Sequence, residues 1–566
     1  MDPSAERVTS ISPKKDELLY LPLGGAGEIG MNCYLYGHDG KWLMVDLGIT
    51  FAAEGTPGIK ILMPNLDFIT ARKEDLVGLV LTHGHEDHLG AVAYHWPKLG
   101  CPVYATPFTA ALLRRKLAEA GLEGKVPLHE IALGGEIRLP PFAISFVTLT
   151  HSIPEPNALA IRTPIGLVLH SGDWKLDPNP LIGEPPDEAT LRALGDEGVL
   201  AMTNDSTNVL VEGESGSEAD LKERLTELIG RFSNRVVVAC FATNVARLSS
   251  IAAAAKANGR AVALAGRSLW RIDDVAREIG LLKNLPPFLD DEDAVHVPRD
   301  EILLICTGSQ AEPRAALSQI VKGGHRHIRL EPGDVVIFSS RVIPGNEKAI
   351  ADLQNELVHN GIEVITTADH DVHVSGHPAR DELRRMYAWV RPRFAIPMHG
   401  EPRHLKAHVE LAKACQVPAA IQVENGELLR ITKEAADIID EVPTGRLALD
   451  GKRLVPLDDA TMRARRSMHQ EGLVVATAVM NGGGTLASLP KVTAPGLLDP
   501  ETDAAVLEEA AIRVAEAVED LSSEGRQDEA TLIHTVRLAA RRYLRDVSGK
   551  KPKVEVHLVR LDGDLG

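Results

Sequence analysis

The spacing of apolar residues divides the chain into regions of different texture. Up to about residue 212, short apolar runs alternate with turn signals and with two stretches of helical periodicity. The predicted strands are 18–23, 33–36, 42–45, 76–81, 144–149, 158–162 and 167–171, and the predicted helices are 89–99 and 109–120. This mixture predicts strands and helices layered in one α/β unit.

From about Gly213 the pattern becomes a regular alternation of helices and strands, beginning with a helix at 218–231. Such alternation is typical of a parallel sheet. Polar loops rich in candidate chemistry resume near His370, so we interpret the alternating segment as an insertion in the first unit. The predicted segments are a flexible arm at 1–17, the first unit at 18–212 and 369–446, the insertion at 213–368 and a small α/β C-terminal domain at 447–566.

The amino-acid composition excludes several classes of protein. The 566 residues include 61 Lys and Arg against 79 Asp and Glu, a net charge of −18, which excludes a polycation that wraps nucleic acid but not a local basic channel. Five scattered cysteines without a C-x-x-C pair argue against a disulfide framework or a thiolate zinc site. With no apolar leader and no apolar stretch of ~18 residues, we expect a cytoplasmic protein that does not enter a membrane.

The first motif to weigh is the glycine-rich segment Gly25–Gly30, which matches G-x-G-x-x-G after a strand. A dinucleotide site requires a helix directly after these glycines. Residues 32–46 instead have the pattern of a β-hairpin. We therefore interpret the segment as a tight β-turn.

The strongest chemical signal is the run 82–88, Thr-His-Gly-His-Glu-Asp-His, between an apolar strand and a helix. Histidines two positions apart in an extended loop can bind one cation, and Asp87 and His88 can reach a second. Three further candidates, His151, Asp173 and His399, each follow the carboxyl end of an apolar run. Together these residues predict a dinuclear metal site of five histidines and two aspartates, His83, His85, Asp87, His88, His151, Asp173 and His399.

This ordered set, with Asp46 ahead of it, resembles the metallo-β-lactamase superfamily. Asp205, His377 and His399 narrow the resemblance to its β-CASP nucleases. The local sequence around these residues and at 344–347 is similar to that of the bacterial ribonuclease J family. The resemblance covers residues 18–446, whereas the C-terminal region matches only by position and size.

The resemblance implies a metallo-β-lactamase αββα sandwich at 18–212 and 369–446, interrupted by a parallel-sheet β-CASP domain at 213–368. It also implies two Zn²⁺ ions per chain, with Mn²⁺ or Mg²⁺ as alternative activating ions. His83, His85 and His151 would hold one ion and Asp87, His88 and His399 the other. Asp173 would bridge the two ions. For Asp46 we keep two roles open, orientation of the ligand loop and capping of a turn.

The activity implied by the resemblance is that of a 5′-to-3′ exoribonuclease with endonuclease activity, acting in RNA processing and mRNA decay through a hydroxide activated by two metals. Asp87 would contribute to catalysis, and His377 paired with Asp205 would be the general acid. Asp205 as an N-cap or Asx-turn residue is an equally good interpretation. His373, Ser375 and Gly376 offer donors for an RNA 5′-monophosphate.

Alternative functions share part of this signal. A thioester or lactam hydrolase would share the metal-binding motif at 82–88 but would not need the inserted segment. A DNA-directed β-CASP nuclease or a non-catalytic scaffold would have the same fold. We expect single-stranded RNA as partner and a homodimer or homotetramer. The arginines within 380–393 are interpreted as a solvated helix face rather than an RNA channel.

Overall fold

The computed structural model describes residues 11–52, 55–343 and 345–561. The chain divides into two compact units: residues up to Thr50 with Leu62–Arg446, and Phe51–Ile61 with the chain from Leu447 onward. Of the predicted arm, residues 1–10 lie outside the described residues. Within residues 11–17, the carbonyls of Pro13 and Lys14 accept hydrogen bonds from the backbone of the turn at 39–40.

The secondary structure alternates along most of the chain. The strands are β1 (Leu18–Gly24), β2 (Cys33–His38), β3 (Lys41–Val45), β4 (Thr50–Phe51), β5 (Ile61–Pro64), β6 (Leu76–Val80), β7 (Val103–Ala105), β8 (Leu128–Glu130), β9 (Glu136–Leu139), β10 (Phe142–Thr148), β11 (Asn157–Thr163), β12 (Gly166–His170), β13 (Val199–Asp205), β14 (Val236–Ala239), β15 (Ala261–Ala265), β16 (Ile302–Cys306), β17 (Val335–Phe338), β18 (Glu363–Ile365), β19 (Phe394–Met398), β20 (Ala419–Ala420), β21 (Glu427–Ile431), β22 (Ala436–Glu441), β23 (Arg446–Asp450), β24 (Arg453–Pro456), β25 (Leu473–Met480), β26 (Lys491–Thr493) and β27 (Lys553–Arg560).

The helices are α1 (Asp67–Thr70), α2 (Glu86–Leu89), α3 (Val92–Leu99), α4 (Pro107–Glu119), α5 (Glu188–Glu197), α6 (Glu218–Ile229), α7 (Val245–Ala257), α8 (Arg267–Glu278), α9 (Ala316–Val321), α10 (Glu347–His359), α11 (Arg380–Val390), α12 (Pro402–Ala414), α13 (Ala460–Glu471), α14 (Ala504–Glu519), α15 (Ser523–Gln527) and α16 (Glu529–Ser548). Short 3₁₀ turns lie at Lys73–Asp75 and Asp293–His296. Among the residues described, no helix is long and apolar enough to cross a bilayer.

Two large sheets face each other in the first unit. One has the order β22-β21-β1-β2-β3-β6-β7-β8 and the other β20-β19-β13-β12-β11-β10-β9. Tyr36 and Val80 of the first sheet and Phe146 and Ile396 of the second belong to one buried apolar cluster between them. Helices α5, α11 and α12 cover the outer face of the second sheet through residues such as Leu191. The predicted αββα sandwich is confirmed.

Strand direction explains why the chemistry collects at one edge of this sandwich. In the second sheet, β12, β13 and β19 are mutually parallel, and β10 runs the same way because two antiparallel pairings separate it from β12. Their carboxyl ends therefore lie at the same edge. In the first sheet, β3 and β6 are also parallel. Asp46 and His399 directly follow two of these ends. The run 82–88, His151 and Asp173 begin within three residues of the others, and Asp205 is the last residue of β13.

The inserted segment forms a separate, entirely parallel sheet of order β15-β16-β14-β17-β18. Its strands are buried apolar runs, and one face packs against α9 and α10 through Leu317, Ile350 and Leu353. The prediction of an inserted parallel-sheet domain is confirmed. The hairpin expected after the glycine-rich segment is present as β2 and β3, so the interpretation of Gly25–Gly30 as a turn is confirmed.

Some predicted elements have different bounds. The helix predicted at 89–99 is two helices, α2 and α3, and the first of them already contains Asp87 and His88. In the second unit, α14 and α16 pack on a three-stranded sheet of order β26-β25-β27, with Val514 and Leu544 in its core. Phe51–Ile61 groups with this unit. The pattern of apolar residues does not indicate this, because the segment is short and lies almost 400 positions before the rest of the unit.

Candidate metal centre

Three histidines form the first group of the site. His85 Nδ1 lies 3.1 Å from His83 Nε2 and 3.0 Å from His151 Nε2. His83 Nδ1 contacts Thr82 Oγ1 at 3.0 Å, and His151 Nδ1 donates to the Gly376 carbonyl at 2.5 Å. Because the Nδ1 atoms of His83 and His151 are engaged elsewhere, their Nε2 lone pairs face His85. Three nitrogens thus converge, as a cation with imidazole ligands requires.

The second group mixes carboxylates and imidazoles. Ligand atoms of Asp87, His88, Asp173 and His399 lie within 4.8 Å of one another. His399 Nε2 is 3.2 Å from Asp87 Oδ2, and His88 Nε2 is 3.2 Å from Asp173 Oδ2. His399 itself adopts a left-handed backbone conformation, with φ of 51°. That turn after β19 brings the imidazole back over the edge of the sheet.

Asp173 lies between the two groups. Its Oδ2 is 3.2 Å from His88 Nε2 in the second group and 3.9 Å from His151 Nε2 in the first. Its Oδ1 is buried 3.2 Å from His399 Nδ1, and no group among the described residues makes a hydrogen bond of good geometry to it. A buried carboxylate oxygen that lacks a well-formed hydrogen bond is costly unless a cation or an ordered water lies against it. This oxygen and the converging imidazole nitrogens fit a site for bound metal.

Asp46 is completely buried behind the ligands and supports His88 directly and His83 through Thr82. Its Oδ2 accepts from His88 Nδ1 at 2.7 Å and from Thr82 Oγ1 at 2.8 Å, and its Oδ1 accepts from Thr82 N at 2.8 Å. His88 therefore donates through Nδ1 and offers Nε2 to the site. Of the two roles left open, the geometry fits orientation of the ligand loop.

Sequence reasoning missed a neighbour of the second group, Asn32. Its side-chain amide nitrogen is 3.0 Å from the Asp87 carbonyl and 2.9 Å from His88 Nε2, while its Oδ1 accepts from Tyr34 at 2.7 Å. The residue is fully buried. A buried asparagine directly after a glycine-rich turn was the available signal, but nothing local connects it to a segment more than fifty positions away.

The protonation tendencies differ between the two groups. Burial lowers the pKa of His83 and His151 well below the usual value and that of His85 to about 4, so these rings are neutral and able to bind metal. Burial would also lower the pKa of His399, but Asp173, Asp205 and Asp87 raise it to about 10. The second group thus attracts positive charge, which protons supply when no metal does.

Asp205 and His377 form a pair beside the metal ligands. His377 Nδ1 is 2.8 Å from Asp205 Oδ2 and 3.8 Å from Asp173 Oδ2. Asp205 Oδ1 accepts from the backbone and hydroxyl of Thr207, at 2.9 and 2.7 Å. The carboxylate therefore makes an Asx turn with one oxygen and contacts His377 with the other, so the two interpretations of Asp205 are compatible.

The loop predicted to bind phosphate adjoins this pair. Ser375 Oγ accepts from Asn208 Nδ2 at 2.7 Å and from the His377 backbone at 3.2 Å. A Cβ on Gly376 would lie 2.8 Å from His151 Nδ1, so only glycine fits there. His373 lies farther along, against Arg247. The structure thus brings Gly376 against the ligand His151, with Ser375 beside it, whereas His373 contacts Arg247 of the inserted segment.

The arginines on and after α11 have acidic partners. Arg380 pairs with Glu212 at 3.0 Å, Arg385 with Glu214 at 3.1 Å, and Arg391 with Asp196. These pairs are exposed on at least one side and neutralise the charge locally. The arrangement agrees with a solvated helix face rather than an RNA channel.

Four family models match the chain in consecutive ranges. They are the metallo-beta-lactamase superfamily at 26–199, the ribonuclease J beta-CASP domain at 233–357, the Zn-dependent metallo-hydrolase RNA specificity domain at 361–422 and the ribonuclease J C-terminal domain at 460–561. With the facing sheets and the histidine–aspartate cluster, they define a metal-dependent hydrolase of the metallo-β-lactamase superfamily that carries an inserted β-CASP domain.

Whole-chain relatives narrow the class. Ribonuclease J of Sinorhizobium meliloti is 42% identical and covers 96% of this chain and 98% of its own. Ribonuclease J of Mycolicibacterium smegmatis is 37% identical and covers 94% of this chain and 95% of its own. That of Thermus thermophilus is 37% identical and covers 82% of this chain and 83% of its own. The chain belongs to the ribonuclease J family and is a metal-dependent ribonuclease. The alternatives of a small-molecule hydrolase and a DNA-directed nuclease are not favoured.

A solved structure supports the fold alone. A protein of unknown function from Enterococcus faecalis superposes with a TM-score of 0.51 at 16% identity, covering 73% of this chain and all of that one.

Proposed function

We propose that this ribonuclease degrades single-stranded RNA from a 5′-monophosphate end in the 5′-to-3′ direction, cleaves internally as well, and acts in RNA processing and mRNA decay in the cytoplasm. The observation that carries the proposal is the hydrogen bond from His151 to the Gly376 carbonyl. Through it, one imidazole joins the metal cluster to the loop with phosphate-binding character. A 5′ phosphate on that loop would lie close to the metals, which favours stepwise removal of nucleotides.

Two Zn²⁺ ions would be held by this donor set, one by His83, His85 and His151 and the other by Asp87, His88 and His399, with Asp173 between the two groups. We expect Mn²⁺ or Mg²⁺ to support activity as well. The chemistry that such ions supply when bound is activation of water at neutral pH and neutralisation of phosphate charge. The chain's own part is to hold the ligands rigidly, through Asp46, Thr82 and Gly376.

His377 is the proposed general acid. Asp205 holds its Nδ1, which leaves Nε2 to deliver a proton to the leaving 3′ oxygen. Its imidazole lies beside both metal-ligand groups, with its ring centroid 4.9 Å from that of His151 and 5.6 Å from that of His399. Because 22% of the His377 side chain remains exposed, it can touch a substrate.

The test uses one RNA, labelled at the 3′ end or within the chain, with a 5′-monophosphate, a 5′-triphosphate or a 5′-hydroxyl. We expect mononucleotides released from the 5′ end, fastest from the monophosphate, and loss of all cleavage in Asp87→Ala. Internal fragments from a circular form of the RNA would establish endonuclease activity. Equal rates on all three ends would contradict the 5′-phosphate part of the proposal. A homodimer or homotetramer is the expected assembly, measurable by sedimentation.

A further inference from the structure

A buried arginine lies beneath the proposed phosphate loop. Arg247 lies in the first turn of α7, and only 1% of it is exposed. Its Nη1 is 3.2 Å from His373 Nδ1, and its Nη2 is 3.5 Å from the Val374 carbonyl. Arg247 also donates to the Ser339 carbonyl at 2.8 Å, and the Ser339 hydroxyl donates to the Val372 carbonyl at 2.6 Å. One guanidinium thus supports three successive residues of the loop.

We propose that Arg247 is a positioning residue for 5′-end recognition, which fixes His373 so that its Nε2–H faces the RNA 5′-monophosphate. The inference rests on the proposed function of the loop. It extends that function to a residue of the inserted domain, 126 positions from His373 in sequence.

The chemistry of the contact determines where the proton lies. A guanidinium can only donate hydrogen bonds, so the ring nitrogen that faces it must accept. His373 Nδ1 is that nitrogen. Burial, together with the charges of Arg247 and Lys175, lowers the pKa of His373 well below its usual value, so the ring is neutral and carries a single proton. In the tautomer that accepts from Arg247, that proton is on Nε2, where the ring can donate to a phosphate oxygen.

The neighbouring serine is arranged in the same way. Arg341 donates to Asn208 Oδ1, which fixes the orientation of the Asn208 amide. Asn208 Nδ2 and the His377 backbone then donate to Ser375 Oγ. With its oxygen accepting two hydrogen bonds, the hydroxyl of Ser375 has its own proton left to donate. Internal donors thus prepare both side chains of the loop to donate to an anion.

The charge of Arg247 is balanced within the protein rather than by a ligand. Glu218 accepts from its Nε at 3.1 Å and from its Nη2 at 2.8 Å, and both residues are buried. Buried ion pairs contribute little net stability, since desolvation offsets their attraction. The pair therefore has a better explanation in holding the guanidinium against the loop than in stabilising the fold.

The test is the ratio of kcat/KM for 5′-monophosphate RNA to that for 5′-hydroxyl RNA of the same sequence. Arg247→Lys keeps the positive charge but loses the planar set of donors of the guanidinium. We expect the ratio to fall at least tenfold. A defect of folding alone lowers both rates equally and leaves the ratio unchanged. If the lysine variant does not fold, Arg247→Met with Glu218→Gln removes both buried charges together and tests the same ratio.

Two comparisons separate the outcomes. Arg260→Lys is the matched control, because Arg260 is another buried arginine of the inserted domain whose guanidinium contacts backbone carbonyls, at Asn234 and Ile302, and its ratio should stay at the wild-type value. In a His373→Ala background, Arg247→Lys should cause no further fall, since Arg247 is proposed to act on 5′-end recognition through His373. An unchanged ratio, or a further fall without His373, would overturn the inference. A wild-type ratio near one would instead refute the 5′-phosphate pocket itself.

Discussion

The carboxylate of Asp46 accepts a hydrogen bond from His88 Nδ1 at 2.7 Å, although the two residues are 42 positions apart. Both side chains are buried, and Thr82 completes the contact by donating to the same carboxylate. The arrangement decides which nitrogen of His88 faces the second metal group. In this way a residue outside the ligand set determines the geometry inside it.

Replacing Asp46 by Asn should weaken the second metal site. An amide cannot hold the Nδ1 proton of His88 as a carboxylate does, and loss of such a partner typically costs 10–100-fold in metal affinity. We expect zinc content after dialysis to fall toward one ion per chain, with a parallel loss of RNA cleavage. The control is Asp67→Asn, an exposed aspartate on α1. Full zinc occupancy in Asp46→Asn would contradict the role.

The Asp205–His377 pair should affect chemistry without affecting metal content. A positioned general acid contributes ~10²–10⁴-fold to rate, so His377→Ala is expected to lower kcat by about that factor. Asp205→Asn should cause a similar loss. The double variant should be little worse than either single one, because the pair acts as a unit. Zinc analysis checks the assignment, since loss of metal in His377→Ala would make His377 a ligand instead.

The site could be predicted largely because its residues follow strand ends. Each predicted ligand after the first cluster stands at the carboxyl end of an apolar run, and parallel strands bring such ends together. Asn32 and Arg247 could not be found in this way. Each makes its contact with a segment that is close only in the folded chain, and neither has local chemistry that distinguishes it from an ordinary buried polar residue.

The fold could be predicted to the same extent, and its prediction failed where the deciding contacts are distant in sequence. The apolar runs at 261–265, 302–306 and 335–338 predict strands, and β15, β16 and β17 have these bounds, since each is a fully apolar run between turns. Helix α12 was not predicted, because the lysines and histidines within it obscure the apolar positions that pack on the sheet. The grouping of Phe51–Ile61 with the second unit depends on contacts of a short segment with residues distant in sequence.

His408 should make the protein sensitive to acid. Its buried ring bonds to Ser206 at 2.9 Å and to Tyr387 at 2.8 Å, and burial lowers its pKa to about 4. The unfolded chain binds the proton near pH 6.5, so stability is complete above that pH and decreases as the pH falls toward 4. The loss amounts to roughly 3 kcal/mol across this range.

Urea unfolding between pH 7 and 4.5 measures this contribution. In His408→Gln the free energy of unfolding should be lower at pH 7 but should decrease less steeply with acid. His359→Gln, which alters a solvent-facing histidine at the end of α10, is the control. An unchanged slope in His408→Gln would contradict the neutral, buried state of this ring.

Metal removal should lower thermal stability as well as activity. The ligands come from four separate loops, at 83–88, 151, 173 and 399, and without cations the carboxylates of Asp87 and Asp173 stay close together. Metal present at a hundred times its Kd adds ~3 kcal/mol to the free energy of unfolding. We expect chelation to lower Tm and added zinc to restore it. In Asp173→Asn, zinc should restore much less.

The central claim is that one cluster of five histidines and two aspartates binds two metal ions and cleaves RNA. The most direct test is zinc per chain by elemental analysis of the wild type and Asp173→Ala, with RNA cleavage measured on the same samples. The account predicts about two zinc ions and full cleavage in the wild type, and less than one ion with no cleavage in the variant. Cleavage of RNA by a wild-type sample freed of metal, or by a metal-depleted Asp173→Ala, would contradict it.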